Sequence, residues 1–346
     1  EVVPNGYIIR LKPNVELKDH FAHVPEAQQV KAASSEDHDE VIVSSSSGEQ
    51  ITVKQFSEFE FGTVKGYTGI FDEETIEMIK SSSDVEQVYP DQFVTASAPV
   101  AAGGRGQFYN WGLGRISHYS DDEADDSVYV ADPNAGAGTT VFVIDGGIDV
   151  SHPQFEGRAS IGYNGFDSSP TTSVHGTHVA GIVASKDYGV APKAKVIGIR
   201  VIDDNGDGVM SNMIRGHAYI YENYKNCDKC VINFSVYCDG LSDALETIQD
   251  ALVDAGFVYV GAAGNKAVSA CDTTPGHNTK SVIVAGNLDQ NGLRATGTNG
   301  SSYGPCVDIW APGSVILSTI PNGKLGYMSG TSMASPHVAG VAATYL

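Results

Sequence analysis

Residues 140–145 read TVFVID, a run of β-branched and aromatic residues that ends on an aspartate and leads into GGIDVSHP. A run this short and apolar throughout has no polar face to turn to water, so it reads as a strand buried on both sides. Four similar runs follow it: Ala194–Val201 (AKVIGIRV), Cys230–Ser235 (CVINFS), Phe257–Ala263 (FVYVGAA) and Ser281–Ala285 (SVIVA). Helical patterns separate them, most clearly Leu241–Ala255 (LSDALETIQDALVDA), which Gly256 stops. Strand and helix in alternation predict an α/β domain, a mostly parallel sheet covered by helices on both faces. In such sheets function collects at the carboxyl ends of the strands.

Upstream the pattern is different. Tyr7–Lys12 reads as a strand and Leu17–Lys31 as a helix, and residues 36–50 (EDHDEVIVSSSSGEQ) read as a solvated loop. Ile51–Gln55 and Glu60–Phe71 read as extended, Asp72–Lys80 as an acid-started helix and Val85–Thr95 as a last strand. The order β-α-β-β-α-β predicts a small α+β ferredoxin-like domain. Residues 96–106 (ASAPVAAGGRG) then shift to Ala, Gly, Ser and Pro, a connector open to proteases. The expected division is 1–95, 96–106 and 107–346.

The chain of 346 residues carries 21 Lys and Arg against 42 Asp and Glu, a net charge of −21. That charge repels phosphate backbones and anionic membrane faces, so neither nucleic acid nor membrane is an expected partner. No window reaches the roughly 20 apolar residues of a spanning helix. Glu1 opens the chain with neither Met nor an apolar signal core, which reads as a targeting segment already removed. Residues 1–100 hold 7 basic and 18 acidic side chains and the remainder 14 and 24, so electrostatics opposes association of the two parts. All five cysteines (Cys227, Cys230, Cys238, Cys271, Cys306) fall after residue 226, too few for a disulfide scaffold. Cys227 and Cys230 could close on each other, serve redox chemistry or stay as thiols, and no thioredoxin-like context supports the redox option.

Four residues stand where chemistry is expected. Asp145 ends the first buried run. His175 opens HGTHVAGIVAS, Asn265 ends GAAGN, and Ser332 lies in GTSMASPHVAG where a glycine turn meets a helix start. A serine hydroxyl is a weak nucleophile that needs a base within hydrogen-bond reach and a third group to orient that base. Ser332, His175 and Asp145 supply these parts, and the Asn265 amide with the Ser332 N–H can meet a developing oxyanion.

VIDGGID, HGTHVAG, GAAGN and GTSMASPHVAG, in this order, resemble the four signatures of the subtilisin-like serine proteases, and Asp, His, Ser is the chain order of subtilisin. WGLGRIS (Trp111–Ser117), ACDTTPG and YGPCVDIWAPG bring the likeness to the proteinase K branch. Residues 1–95 resemble the inhibitor-type propeptide of that family through YIIRLK, the GYTGIFDEETIEMIKSSSDVEQVYPDQ stretch and their element order. The resemblance implies a serine endopeptidase made as a self-inhibited precursor. Its propeptide helps the peptidase domain fold and blocks the cleft until the connector is cut between Thr95 and Gln107.

Position by position, the resemblance implies that Asp145 orients the imidazole, His175 acts as base then acid, Ser332 attacks and Asn265 is the oxyanion donor. Ser235, Val236 and Tyr237 with Ala262, Ala263 and Gly264 would line the substrate backbone, and Asp204 and Gly206 would border the cleft further upstream. It also implies a Cys271–Cys306 disulfide, protein or peptide substrates, the chain's own propeptide as inhibitor, a monomer, and a secreted or vacuolar, lysosome-like compartment. Relatives continue beyond the position of Leu346. No cofactor is needed for the chemistry, and a structural calcium is left open.

Several positions depart from the family. Gly146 replaces a usual Ser or Thr, which removes a hydrogen bond to the aspartate. Tyr237 and Cys238 stand where two glycines are usual, and either narrow the cleft or point away from it. DDNGDG (Asp203–Gly208) begins like a calcium loop but has Ile214 where a bidentate Glu is needed. The acidic run Asp121–Asp126 reads as solvated surface, and His178 as a packed helix residue rather than a zinc ligand. Of two sequons, Asn233-Phe-Ser falls in a core strand and Asn299-Gly-Ser in a glycine-rich loop. Protonation of His20, His23 and His38 in the propeptide is expected to weaken its docking. A rival reading is a catalytically impaired homologue that binds or regulates. An esterase lacks its G-x-S-x-G elbow here.

Overall fold

The computed structural model describes residues 1–34, 40–45, 48, 50–95, 100–101, 110–117, 129–130, 132–166, 171–278, 280–297 and 299–346. The Asp121–Asp126 run, His38 and most of the connector lie outside the described residues.

The first part runs β1 (Val2–Leu11), α1 (Leu17–His23), α2 (Pro25–Ala33), β2 (Glu40–Ser44), β3 (Gln50–Lys54), β4 (Phe56–Phe61), β5 (Val64–Ile70), α3 (Glu73–Ser81) and β6 (Val85–Thr95). Strands β6-β1-β5-β4 form one antiparallel sheet in the order of the ferredoxin-like plan. Several features differ from the sequence reading, the first being that the stretch read as extended over 60–71 is split between β4 and β5, while Ile51–Gln55 overlaps β3, which lies outside this sheet. The helix expected over 17–31 is broken at Val24, because Pro25 pushes the residue before it out of helical space and then opens α2. The stretch that reads as a loop contains β2, whose short EVIVS pairs with β3 into a separate hairpin. Its run of three apolar residues beside four serines is too short to stand out as a strand. His20 is not a surface histidine. It is buried in this unit's own core, its Nε2 2.8 Å from the Tyr67 hydroxyl, and burial holds its pKa below the usual value. His23 bonds Asp84. Both rings therefore make contacts within the unit's own fold rather than on its docking surface.

The second part runs β7 (Val100–Ala101), α4 (Trp111–Ile116), β8 (Thr140–Asp145), β9 (Ala159–Asn164), α5 (Val174–Ala184), β10 (Lys195–Arg200), β11 (Asp207–Val209), α6 (Met210–Tyr224) and β12 (Cys230–Phe234). There follow β13 (Cys238–Asp239), α7 (Asp243–Asp254), β14 (Val258–Ala262), β15 (Thr273–Thr274), β16 (Val282–Leu288), β17 (Ile309–Pro312), β18 (Ile316–Ile320), β19 (Lys324–Ser329) and α8 (Thr331–Tyr345). Strands β17-β16-β14-β12-β8-β10-β9 make a seven-stranded parallel sheet that holds all five buried runs. Alternate residues serve its two faces, as the period of two requires. Val141, Val143, Val231 and Val260 pack with α5 and α8, while Phe142, Ile144, Ile232 and Phe234 pack with α6 and α7.

The open face of the first sheet lies on α6 and α7, where Ile8, Phe59, Phe61 and Val94 join the core that contains Met210, Ile214 and Leu245. Strand β6 also pairs antiparallel with β11, Phe93 opposite Val209 and Thr95 opposite Asp207. Helix α6 has no capping side chain of its own at Val209. Asp91 of β6 supplies one across the interface, accepting the Ser211 N–H at 3.0 Å. Burial raises the Asp91 pKa, opposed by its bonds to Ser211. Like charges do meet here: burial and then the neighbouring Glu60 raise the pKa of Glu222 on α6.

Among the described residues, three imidazoles of the second part are fully buried. Desolvation lowers His178 to about 3, and His217 and His337 to about 4, against an ordinary 6.5. The unfolded chain therefore takes up protons that the folded one refuses, and the stability they contribute is lost as pH falls from about 6.5 towards 4. The thermal unfolding midpoint should drop steadily over that interval, and His217→Gln should flatten the drop. A midpoint that is level or rises between pH 6.5 and 4 would show that these rings are not held neutral.

Candidate active site

Strands β8, β12 and β14 lie side by side in the sheet, so their carboxyl ends bring Asp145, Ser235 and the 262–265 segment to one edge. Helices α5 and α8 begin at the same edge, carrying His175 and Ser332 in their first turns. Asp145 is fully buried, and both its oxygens face the His175 Nδ1 at 2.9 and 2.8 Å. That arrangement assigns the proton to Nδ1 and leaves Nε2 as the lone-pair nitrogen. Nε2 has no partner among the described residues.

The close approach of α5 to the strand end depends on Gly176. A Cβ there would stand 2.1 Å from the Gly147 carbonyl and 3.0 Å from an Asp145 oxygen. Gly146 has a related cause. A Cβ on it would stand 2.8 Å from the Ser173 hydroxyl, and Ser173 caps α5 by accepting the Gly176 N–H. The family's Ser or Thr would collide with that cap. The aspartate accepts the Gly146 N–H at 2.6 Å.

Ser332 is buried, and its hydroxyl donates to the Ser235 carbonyl at 3.0 Å rather than to His175. In return the Ser235 hydroxyl donates to the Ser332 carbonyl at 3.1 Å. Behind this pair, Asn233 donates to the Ser235 hydroxyl at 2.9 Å and accepts from Ser335 at 2.7 Å. Both ends of the Asn233 amide are thus used, which leaves no place for a glycan on this sequon. Asn265 accepts the Thr331 N–H at 2.8 Å and the Thr331 hydroxyl at 3.0 Å through Oδ1. Its Nδ2 is thereby turned outward on the side of Gly330 as a donor. Sequence reasoning misses Thr331, Ser173 and Asn233, since a hydroxyl beside a reactive serine or at a helix start carries no distinguishing pattern.

The proposed substrate-lining residues fall into two groups. Ala262, Ala263 and Gly264 continue β14, and the Gly264 N–H is held by the Thr331 hydroxyl at 3.2 Å. Val236 is fully buried in the core, so only its backbone can face a ligand. The Tyr237 ring lies against Gly264 and beneath the Lys266 ammonium. Cys238 turns into the core and pairs through its backbone with Thr274. Asp204 instead bridges Arg200 at 3.2 Å, and Gly206 is a left-handed turn residue. The next three residues, Asp207–Val209, pair with strand β6. In the loop before them Asp203 accepts the Asn205 and Asp207 N–H groups. His178 donates through Nε2 to the Ile316 and Gly326 carbonyls. The disulfides join Cys271 to Cys306 and Cys227 to Cys230.

Comparison with known families matches residues 136–346 to the Subtilase family and residues 6–97 to Peptidase inhibitor I9. Subtilisin-like protease 10 of Arthroderma otae (strain ATCC MYA-4605 / CBS 113480) is 36% identical over 98% of this chain and 81% of its own length. Subtilisin-like protease 5 of the same organism is 36% identical over 99% of this chain and 82% of its own length. A solved structure described as a cold adapted subtilisin-like serine proteinase superposes with a TM-score of 0.63 at 36% identity. It covers 69% of this chain and 85% of its own. The chain belongs to the subtilase family of serine peptidases and carries an I9 inhibitor propeptide at its N-terminal side.

Gly176→Ala should leave the fold's circular dichroism intact while lowering kcat/KM at least about tenfold, since a misplacement of about 1 Å is enough to cost that much. Activity within twofold of wild type would show that α5 does not need this approach.

Proposed function

We propose that the chain is a serine endopeptidase precursor in which Asp145, His175 and Ser332 perform acyl transfer to water. The observation that carries the reading is the buried Asp145–His175 pair with a vacant Nε2, set at the same sheet edge as Ser332 and the Asn265 amide. For reaction the Ser332 hydroxyl turns from the Ser235 carbonyl to His175 Nε2, which takes its proton as the oxygen attacks the scissile carbonyl. The imidazolium, stabilised by Asp145, then protonates the leaving amine, and water repeats the sequence on the acyl-enzyme. Asn265 Nδ2 and the Ser332 N–H meet the oxyanion. Every proton transfer is assigned to a side chain of this protein, so the reading needs no cofactor.

In the same reading residues 1–95 are the inhibitor, 96–106 the connector and 107–346 the peptidase. The strand pairings support a narrower cleavage point. Strand β6 lies along β11 as far as Thr95, and β7 (Val100–Ala101) pairs with Ser329 and Met328, a few residues before Ser332. These two pairings bracket the bond cut between Thr95 and Val100. The two disulfides and the exposed sequon residue Asn299 support a secreted or vacuolar compartment, and no described helix is long and apolar enough to cross a membrane.

Ser332→Ala should purify as one uncut chain, whereas wild type should yield a fragment whose new N-terminus, read by Edman sequencing, begins between residues 96 and 100. Cutting of the purified Ser332→Ala chain, with no other protease present, would refute self-processing. Asn265→Ala should lower kcat by roughly 100- to 1,000-fold with little change in KM, a magnitude borrowed from the same donor in subtilisin. A loss below threefold would remove Asn265 from the oxyanion site.

A further inference from the structure

The β2–β3 hairpin lies outside the four-stranded inhibitor sheet. Its register sets Val41 opposite Val53 and Val43 opposite Ile51, which places four apolar side chains on one face. The other face carries Glu40, Ser44, Gln50 and Lys54, and its Ile42 is 64% exposed. An isolated two-stranded hairpin is marginal in water, so this one depends on what its apolar face meets.

That face meets both domains. Val43, Ile51 and Val53 are at most 6% exposed, packed with Val3 of β1 and with Val209 and Phe166 of the peptidase domain. Val209 is fully buried there and belongs to β11, the strand that β6 occupies. The inhibitor's own core, built around Phe21, Phe56, Tyr67 and Phe71, uses none of these hairpin residues. The hairpin is therefore not needed to fill the core of the unit that carries it, and part of its seat disappears when the domains part.

We infer that the β2–β3 hairpin is a second clasp on the peptidase domain, closing over Phe166 and Val209 so that the inhibitor stays bound after the connector is cut. The inference rests on the processing reading above. With acidic charge on both sides, attraction at long range cannot hold the cut pieces together. Release then requires β6 to unzip from β11 and the hairpin to lift from Phe166, and apolar contacts of this kind act mainly on the rate of leaving.

The test uses the full chain with Val43→Ser/Val53→Ser, with Phe166→Ser on the other side of the contact, and with Ile42→Ser on the exposed face as control. Connector cleavage is followed by gel and activity by hydrolysis of a chromogenic peptide in the same sample. Both contact variants should cleave within about twofold of wild type, and the interval from cleavage to full activity should shorten at least about tenfold. Their combination should do little more than either, because they break one contact. Ile42→Ser should keep the wild-type interval. A wild-type interval in Phe166→Ser overturns the clasp, and so does an equal shortening in Ile42→Ser, which would indicate mere loosening of the inhibitor. If wild type never cuts itself, the processing reading fails instead, and the same intervals are read after cutting the connector with added protease.

Discussion

The buried contact between Asp145 and His175 sets the tolerances for the rest of the peptidase domain. A carboxylate with no exposure is costly unless its oxygens are met by donors. Here they are met by the imidazole N–H and by the Gly146 N–H. Meeting them brings the first turn of α5 within contact distance of the β8 end, which accounts for glycine at 146, 147 and 176. Helix α5 is held from behind as well, since Ser318 and Thr319 of β18 donate to its His178 and Thr177 carbonyls at 2.7 and 2.8 Å. The same economy governs α8. Its first residues are fastened to β12 through the Ser235–Ser332 pair and to β14 through Thr331 and Asn265, so Ser332 and Asn265 share one rigid support.

Docking of the two domains follows from what each lacks. The inhibitor sheet has one face covered by its own helices and one bare, and α6 and α7 present an apolar surface that fills the bare face. Helix α6 has orphan N–H groups at its start, and Asp91 accepts one of them. Strand β11 has an unpaired edge, and β6 pairs with it. None of these terms requires opposite net charge, which is why two acidic domains can associate. Local complementarity of shape and hydrogen bonding outweighs a repulsion that salt already screens over about 8 to 10 Å.

Legibility in the sequence tracks burial. The five runs with no polar face form β8, β10, β12, β14 and β16, because a strand without a polar side must be covered on both faces. Edge strands such as β9 (ASIGYN) and β17 (IWAP) mix polar and apolar residues, since only part of each is covered, and their sequences do not announce them. Strand β2 reads as loop because the apolar seat of its hairpin lies partly on another domain, which no local pattern reports. The residues proposed for catalysis are legible through their signatures, but their supports are not. Nothing in GTSMA reveals that Thr331 fixes the Asn265 amide, and nothing in TTSVHG reveals that Ser173 fills the space above Gly146. The stretch Asp203–Gly208 reads as a loop, but its last residues enter β11, and its composition does not reveal that β11 pairs with β6.

The central claim is that Ser332, activated through His175 and Asp145, is the nucleophile of a working peptidase. Treatment of the processed protein with a serine-reactive fluorophosphonate, followed by peptide mapping in a mass spectrometer, tests it directly. The account predicts one adduct per chain, on the peptide that contains Ser332, with activity lost in step with labelling. An adduct elsewhere, or a fully active protein that takes no label, would contradict it.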